Sequence, residues 1–351
     1  MSPDALLPGP LDIVGDVHGE FEALQALVSH LGYATDGSHP DQRHLIFVGD
    51  LCDRGPDSPG VVRYVAGLVA AGRAQCVLGN HELNLLRGST KPANGWFFAN
   101  DHDRALGKFV ECQQPTAAER QGFVEFFASL PLALERADLR VVHAAWHAES
   151  LAALEREPTG RGVLDVYRHY AAASESWAKG SQLTADVQQE YRDWSRFFSD
   201  ETQTVPLLRA IGTVDEQFQM SNPVRVLTSG VERLAISPFF ASGKWRMVDR
   251  VAWWQDYTDD VPVLFGHYWR WASPESARRY SRGERNLFEG LALNEWAGPR
   301  RNAFCVDFSV GVRYRERLSR GSSPYRGRLG ALRWPERELV FDDGERVPLK
   351  A

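Results

Sequence analysis

Three times within its first 82 residues, this chain runs an apolar stretch into a glycine that is followed at once by a carboxylate or an amide. Residues 11–14 end at Gly15-Asp16, residues 45–48 at Gly49-Asp50, and residues 76–78 at Gly79-Asn80. Between them lie helical periodicities. Phe21, Leu24, Leu27, Val28 and Leu31 recur at helical spacing until Gly32 stops them. Ser58-Pro59 reads as an N-cap and first-turn pair for a helix with Val61, Val62, Val65, Leu68 and Val69 on one face. A β-α-β-α-β order of this kind requires right-handed crossovers and a parallel sheet. Ligands of such sheets bind at the carboxyl ends of the strands, where the three Gly-Asp and Gly-Asn pairs sit.

The strand-end pattern continues downstream. Residues 139–142 read as a strand ending at His143, and residues 261–265 as one ending at Gly266-His267. Residues 304–308 and 329–334 suggest closing strands, and 338–341 a last strand before a charged tail. Trp96-Phe97-Phe98 and residues 100–103 look like a loop or small cap. Residues 150–220 read as mostly helical and polar, and 223–260 as rich in Pro, Gly and aromatics, among them Trp245, Trp253, Trp254 and Tyr257. The gap between His143 and His267 reads as an insertion at about 150–260 within one domain spanning 1–351.

With 351 residues, 43% of them hydrophobic, the chain can bury a large core. Its net charge of −6, from 46 acidic and 40 basic residues, disfavours a nucleic-acid partner. Phosphate-bearing substrates stay open, because bound cations invert the local charge. Cys52, Cys76, Cys112 and Cys305 show no CxxC spacing, which suggests reduced thiols and a cytoplasmic setting. No apolar run reaches 18 residues, and the start of the chain lacks a basic, signal-like region, so neither a membrane span nor a signal peptide is expected.

The chemistry suggested by these residue types is that of a metal pair. Two divalent cations about 3.5–4 Å apart can clamp the attacking and leaving oxygens of an in-line displacement on phosphorus. Asp16 and His18, two residues apart past one strand end, can reach one cation. Asp50, on the neighbouring strand, is the natural bridge. Asn80, His143 and His267 can complete the second position. Mixed nitrogen and oxygen donors without thiolate suit Mn, Fe, Zn or Co, with Mn2+ as the first expectation. His81, beside Asn80, is the candidate general acid. Asp53 can orient it, and Arg54 offers a planar fork for phosphate oxygens. Tyr268 and Trp269, beside His267, can stack on a substrate ring or simply pack beside the site. The run Arg313, Arg315, Arg317, Arg320 reads as a solvated strand or loop.

Taken together, these stretches resemble the calcineurin-like metallophosphoesterases, and within them the phosphoprotein-phosphatase type. The GDxHG, GDxVDRG and GNHE patterns stand at residues 15–19, 49–55 and 79–82, followed by His143-Ala144-Ala145 and Gly266-His267. The resemblance implies a four-layer α/β/β/α sandwich and direct attack by a metal-bridging hydroxide, with no phosphoenzyme. It implies Asp16, His18 and Asp50 as ligands of one metal, and Asp50, Asn80, His143 and His267 as ligands of the other. It gives His81, Asp53 and Arg54 catalytic roles. A further phosphate-binding arginine of the family is not marked by a motif here; Arg225 and Arg250 are the candidates.

Residues 53–58 and the closing runs 306–311 and 330–337 are similar to bacterial symmetric diadenosine-tetraphosphate hydrolases and to related bacterial serine/threonine/tyrosine phosphatases. The likeness spans roughly residues 11–147 and 261–341. Cys52 departs from the usual Val, and Ala-Ala-Trp follows His143 where Gly-Gly or Ala-Gly is usual. The implied activity is a phosphatase acting on phosphomonoesters or nucleotide phosphoanhydrides, with a dinucleoside polyphosphate or a phosphoprotein as substrate. A phosphodiesterase is disfavoured by Asp53-Arg54.

Overall fold

The computed structural model describes residues 1–98, 112, 114–241, 243–271, 285–320 and 325–350; the expectation for residues 100–103 and the side chain of Arg320 lie outside them. The first sheet contains the three parallel strands expected from the sequence: β2 (Leu11–Val14), β3 (His44–Phe47) and β4 (Ala74–Cys76). Three antiparallel strands extend it beyond β2: β11 (Gly330–Trp334), β12 (Glu338–Phe341) and β13 (Arg346–Pro348). Its order is β13-β12-β11-β2-β3-β4. The second sheet is formed by β1 (Asp4–Ala5), β5 (Ala133–Arg136), β6 (Leu139–Val142), β9 (Val263–Phe265) and β10 (Ala303–Cys305), in the order β1-β5-β6-β9-β10.

Side chains alternate across each strand, and the central strands of both sheets bury both faces. Leu11, Ile13, Ile46, Leu332 and Phe341 from the first sheet meet Leu134, Val141, Leu264 and Phe304 from the second in one cluster between the sheets. The alternate residues Val14, Leu45, Phe47 and Val340 cluster with the apolar faces of α1 (Phe21–Leu31) and α2 (Ser58–Ala70). Val142, Val263, Phe265 and Cys305 do the same beneath Val166, Leu227 and Trp254. The layers are helix, sheet, sheet, helix, as the resemblance implied.

Several local expectations change. Gly32 ends α1 in the left-handed region, as expected. The cap of α2, however, is Asp57, which accepts from the Gly60 amide at 2.8 Å. The Ser58 hydroxyl instead accepts from the Asp53 amide at 2.9 Å, so it serves the site loop. Residues 148–229 are mostly helical, but residues 232–250 form an antiparallel hairpin, β7 (Glu232–Ala241) with β8 (Lys244–Arg250). The chain past 341 is not simply a tail, since β13 adds an edge strand to β12. The run from Arg313 is a helix, Arg313–Arg320, with two inward charges: Arg313 pairs with Asp342 at 2.6 Å and Arg317 forks onto Glu20. Among the described residues no helix is long and apolar enough to cross a membrane.

One buried ionic knot fastens the first sheet. Asp12, fully buried in β2, accepts from Arg43 at 2.8 and 2.9 Å, from Arg333 at 3.1 Å and from the Tyr33 hydroxyl at 2.8 Å. Arg43 also forks onto Glu336, at 2.7 and 3.1 Å. The knot joins β2 to the chain entering β3, to the segment after α1 and to β11. Removing one partner leaves an uncompensated buried charge, whereas removing both does not. Asp12→Ala should therefore cost about 3–5 kcal/mol in urea unfolding, and the Asp12→Ala/Arg43→Met double variant should cost less than Asp12→Ala alone. A double variant no more stable than the single one would show that the cost of Asp12→Ala is not the charge left stranded on Arg43.

Candidate active site

The carboxyl ends of both sheets face one another, and the residues singled out from the sequence meet there. Asp16 follows β2, Asp50 follows β3, Asn80 opens α3 (Asn80–Leu86) just after β4, and His143 and His267 follow β6 and β9. The His267 amide donates to both Asp16 carboxylate oxygens at 3.2 Å, which ties one sheet to the other. Asp50 lies between two groups. Its Oδ2 is 3.8 Å from His18 Nε2, which is also 3.8 Å from Asp16 Oδ2. Its Oδ1 is 3.4 Å from His143 Nε2.

The turns that deliver these groups are held in unusual backbone conformations. His18, Asp50, Asp53, Arg54 and His267 all have φ between 47 and 72°, in the left-handed region that residues other than glycine seldom occupy. Gly49, at φ 97°, turns so tightly against the next strand end that a Cβ would lie 2.7 Å from the Gly79 amide nitrogen. Glu82 fixes this turn. Fully buried, it accepts from the amides of Asp50 and Leu51, each at 2.9 Å, from the Gly79 amide at 3.2 Å and from the Cys52 thiol at 3.2 Å.

The atoms that converge are acceptors. His143 directs Nδ1 to the Val48 carbonyl at 2.7 Å, and His18 directs Nδ1 to the Cys52 carbonyl at 3.2 Å, so both turn Nε2 inward. Asn80 Oδ1 lies 3.3 Å from Asp50 Oδ2, 3.2 Å from His143 Nε2 and 2.8 Å from His267 Nδ1. Turning the Asn80 amide would put its NH2 among these acceptors; a cation would do so without the turn. Donor atoms bound at about 2.1 Å to one ion stand roughly 3–3.5 Å apart, close to the spacing seen here. A hard cation held by mixed nitrogen and oxygen fits this set.

The charges agree. Burial, and then Arg54, holds His18 well below the usual imidazole range; burial, and then Arg250, does the same to His267. Both are in the neutral, ligating form. Burial also opposes charge on His143, but Asp50 outweighs it and lifts His143 to about 10. Burial and the neighbouring Asp307 raise Asp16 well above the carboxylate range. Protons thus occupy positions that a bound cation would claim.

A second arrangement adjoins the first. His81 Nδ1 meets Asp53 Oδ2 at 2.6 Å, and the other Asp53 oxygen accepts from Trp96 Nε1 at 2.7 Å. His81 Nε2 is 3.8 Å from Asp50 Oδ2. Burial opposes its protonation, but Asp50 and Asp53 raise it above 6.5 despite the charge of Arg54. Arg54 reaches across both imidazoles, 2.7 Å from His18 Nε2 and 3.2 Å from His81 Nε2, with Trp269 beneath its guanidinium at 5.3 Å.

Residues 9–197, more than half of the chain, match the model of the family described as calcineurin-like phosphoesterase. The chain belongs to that family. Among relatives, it is 28% identical over 194 residues to the bis(5'-nucleosyl)-tetraphosphatase PrpE [asymmetrical] of Bacillus subtilis (strain 168), covering 54% of this chain and 74% of the relative. It is 51% identical over 79 residues to the protein of the same name from Halalkalibacterium halodurans, where the match spans 22% of this chain and 32% of the relative. Among solved structures, the cold-active protein-tyrosine phosphatase of a psychrophilic Shewanella species aligns with 16% identity and a TM-score of 0.49, over 100% of this chain and 83% of that one.

Not every residue proposed from the phosphoesterase sequence takes the position expected of it. Two of the Arg225 nitrogens are engaged elsewhere, Nε on the Tyr167 hydroxyl at 3.0 Å and Nη1 on the Phe218 carbonyl at 3.4 Å. Tyr268 is buried, its ring edge-on to Trp254 and Phe265, with Arg250 over it at 6.0 Å, and its hydroxyl against Gly230, so it packs beside the site. Three residues were missed. The roles of Glu82 and Trp96 depend on tertiary partners that no local pattern reveals. Asp307 was legible, because it lies two residues past β10 as Asp16 lies two past β2. It is buried, its Oδ2 has no hydrogen-bond partner among the described residues, and burial lifts its carboxyl to about 6 against the opposing Ser309 hydrogen bond.

Groups that hold a ligand in place typically contribute about 10–100-fold to metal affinity. Glu82→Gln turns an amide NH2 toward the backbone donors and should weaken metal binding by about that factor, read by calorimetric titration of the metal-free protein. Affinity within twofold of the wild type would mean that the Asp50 turn holds its shape without Glu82.

Proposed function

We propose that this phosphoesterase is a dinuclear-metal phosphatase that hydrolyses nucleotide phosphoanhydrides, with a dinucleoside polyphosphate as substrate. The observation that carries the proposal is the two-sided presentation of Asp50, with imidazoles on each side and the His81-Asp53 pair beside it. Asp16, His18 and Asp50 would hold one cation; Asp50, Asn80, His143 and His267 would hold the other. When bound, such a pair neutralises phosphate charge and activates water as a nucleophile near neutral pH. The mixed imidazole and carboxylate donors support manganese, with iron, zinc and cobalt equally compatible in chemistry. Buried thiols at Cys52, Cys76 and Cys305, with no disulfide among the described residues, support a reducing, cytoplasmic setting.

The chain's own groups then have separate tasks. Arg54 can leave the two imidazoles and fork onto phosphate oxygens, a geometry suited to a guanidinium. As water attacks phosphorus and the bond to the leaving oxygen breaks, His81 gives that oxygen its Nε2 proton. Asp53, held by Trp96, keeps the imidazole in the tautomer and orientation this requires. The dinucleoside substrate draws support from relatives named bis(5'-nucleosyl)-tetraphosphatases. Those relatives carry the asymmetrical label, so both cleavage patterns belong in the test.

The decisive assay is chromatography of products after incubating metal-loaded protein with diadenosine tetraphosphate. ADP alone, or ATP with AMP, supports the proposal and fixes the cleaved bond. Hydrolysis of an aryl phosphate without any dinucleotide turnover would overturn the substrate and favour a phosphoprotein. His81→Asn should retain the wild-type metal content by elemental analysis while kcat falls about 10²–10⁴-fold, the range for loss of a general acid. Because His81 must be protonated and is held above 6.5, kcat should decline on the alkaline side in the wild type. The same decline in the residual activity of His81→Asn would exclude His81 as the acid.

A further inference from the structure

Beside the metal-type site lies a pocket walled by the β7–β8 hairpin, by the segment that follows His267 and by residues 285–288. It is lined by Arg246, Arg250, Trp269, Trp271 and Glu232, among others. We infer that this pocket is the subsite for the nucleoside-phosphate arm of the substrate, the part that extends away from the scissile phosphate. The inference rests on the phosphatase reading above and assigns that substrate arm to particular residues.

Three observations converge on it. The first is continuity. Trp269 lies beneath the Arg54 guanidinium at 5.3 Å, and Tyr268 stands between His267, at 5.4 Å, and Arg250, at 6.0 Å. A substrate bound at Arg54 therefore meets the pocket directly. The second is shape and chemistry. Trp269 and Trp271 meet edge to face at 5.6 Å, and both line the pocket and are only half-buried. Aromatic faces next to guanidinium groups suit a flat base that carries phosphate, since every base has a π-face and phosphate takes planar bidentate donors.

The third is charge. The chain has a net charge of −6, but Arg246, Arg250 and Arg285 all line this pocket. Two carboxyls, Glu232 and Asp249, line the same pocket. Burial raises both Glu232 and Asp215, against the pull of the arginines, and Asp249 faces Arg285 at 3.8 Å.

The test uses the full-length, metal-loaded protein and two readouts. The first is the ratio of kcat/KM for diadenosine tetraphosphate to kcat/KM for p-nitrophenyl phosphate. Loss of one base-stacking partner typically weakens binding by about tenfold or more. Trp271→Ala and Arg246→Ala should each lower the ratio by about that factor, and Trp271→Phe should restore most of it. The second readout is ADP binding by calorimetry, which reads the pocket even if the dinucleotide is not turned over. ADP should bind the wild type, and bind both alanine variants about tenfold or more weakly. An unchanged ratio with unchanged ADP affinity, in variants whose melting temperature matches the wild type, would overturn the subsite and leave the phosphatase reading standing. Failure of the wild type to hydrolyse the dinucleotide while ADP binding still depends on Trp271 and Arg246 would instead overturn the substrate and keep the pocket. Absence of ADP binding to the wild type would overturn the pocket assignment.

Discussion

Glu82 holds the turn on which Asp50 stands, and the rest of the site is arranged around Asp50. A single buried carboxylate takes up three backbone amides and a thiol from two strand ends. That satisfies donors which would otherwise be stranded inside the protein, and it leaves both Asp50 oxygens facing outward from the turn. With Asp50 fixed, the imidazoles of His18 and His143 are held on opposite sides of it, each oriented by a backbone carbonyl. Acceptors of like polarity do not stay together by themselves. The fold forces them into proximity, and protons or cations must then balance them.

That forcing has a visible backbone signature. Five residues of the site sit in the left-handed region, and none of them is glycine. Conformations of this kind persist only where the surroundings over-determine them. The surroundings here are two sheets whose site-bearing central strands are buried on both faces, so their ends cannot shift without disturbing a close-packed interior. The rigidity of the sheets is thereby passed to side chains that come from segments as far apart in sequence as Asp16 and His267.

Much of this was legible in the sequence, for a physical reason. Asp16, Asp50, Asn80, His143 and His267 each terminate an apolar run, and in a parallel sheet strand ends are where ligands gather. What stayed hidden depended on partners distant in the chain. Asp12 lies in a run read only as apolar, yet it accepts four hydrogen bonds from three side chains, Tyr33, Arg43 and Arg333. The hairpin at 232–250 escaped notice because Pro238 and a register shift between Leu234 and Phe239 break its alternation. β13 is a short edge strand with Arg346 and Pro348, residues that discourage further pairing, and its one apolar residue, Val347, is too little to signal a strand. Ser58 looked like a helix cap because its residue type fits; the Asp one position earlier took that role and freed the hydroxyl for Asp53.

The position of β2 also bears on how the chain comes to be folded. β2 carries Asp16 and His18 at its end, yet it pairs on one side with β3 and on the other with β11, about 320 residues further along. Contacts of such sequence separation form late, because the loop they close is long. During synthesis the chain leaves the ribosome with β2 exposed as an open edge until residue 334 has been made. The first half of the metal-type site is thus encoded at the start of the chain and sealed only by its closing strands.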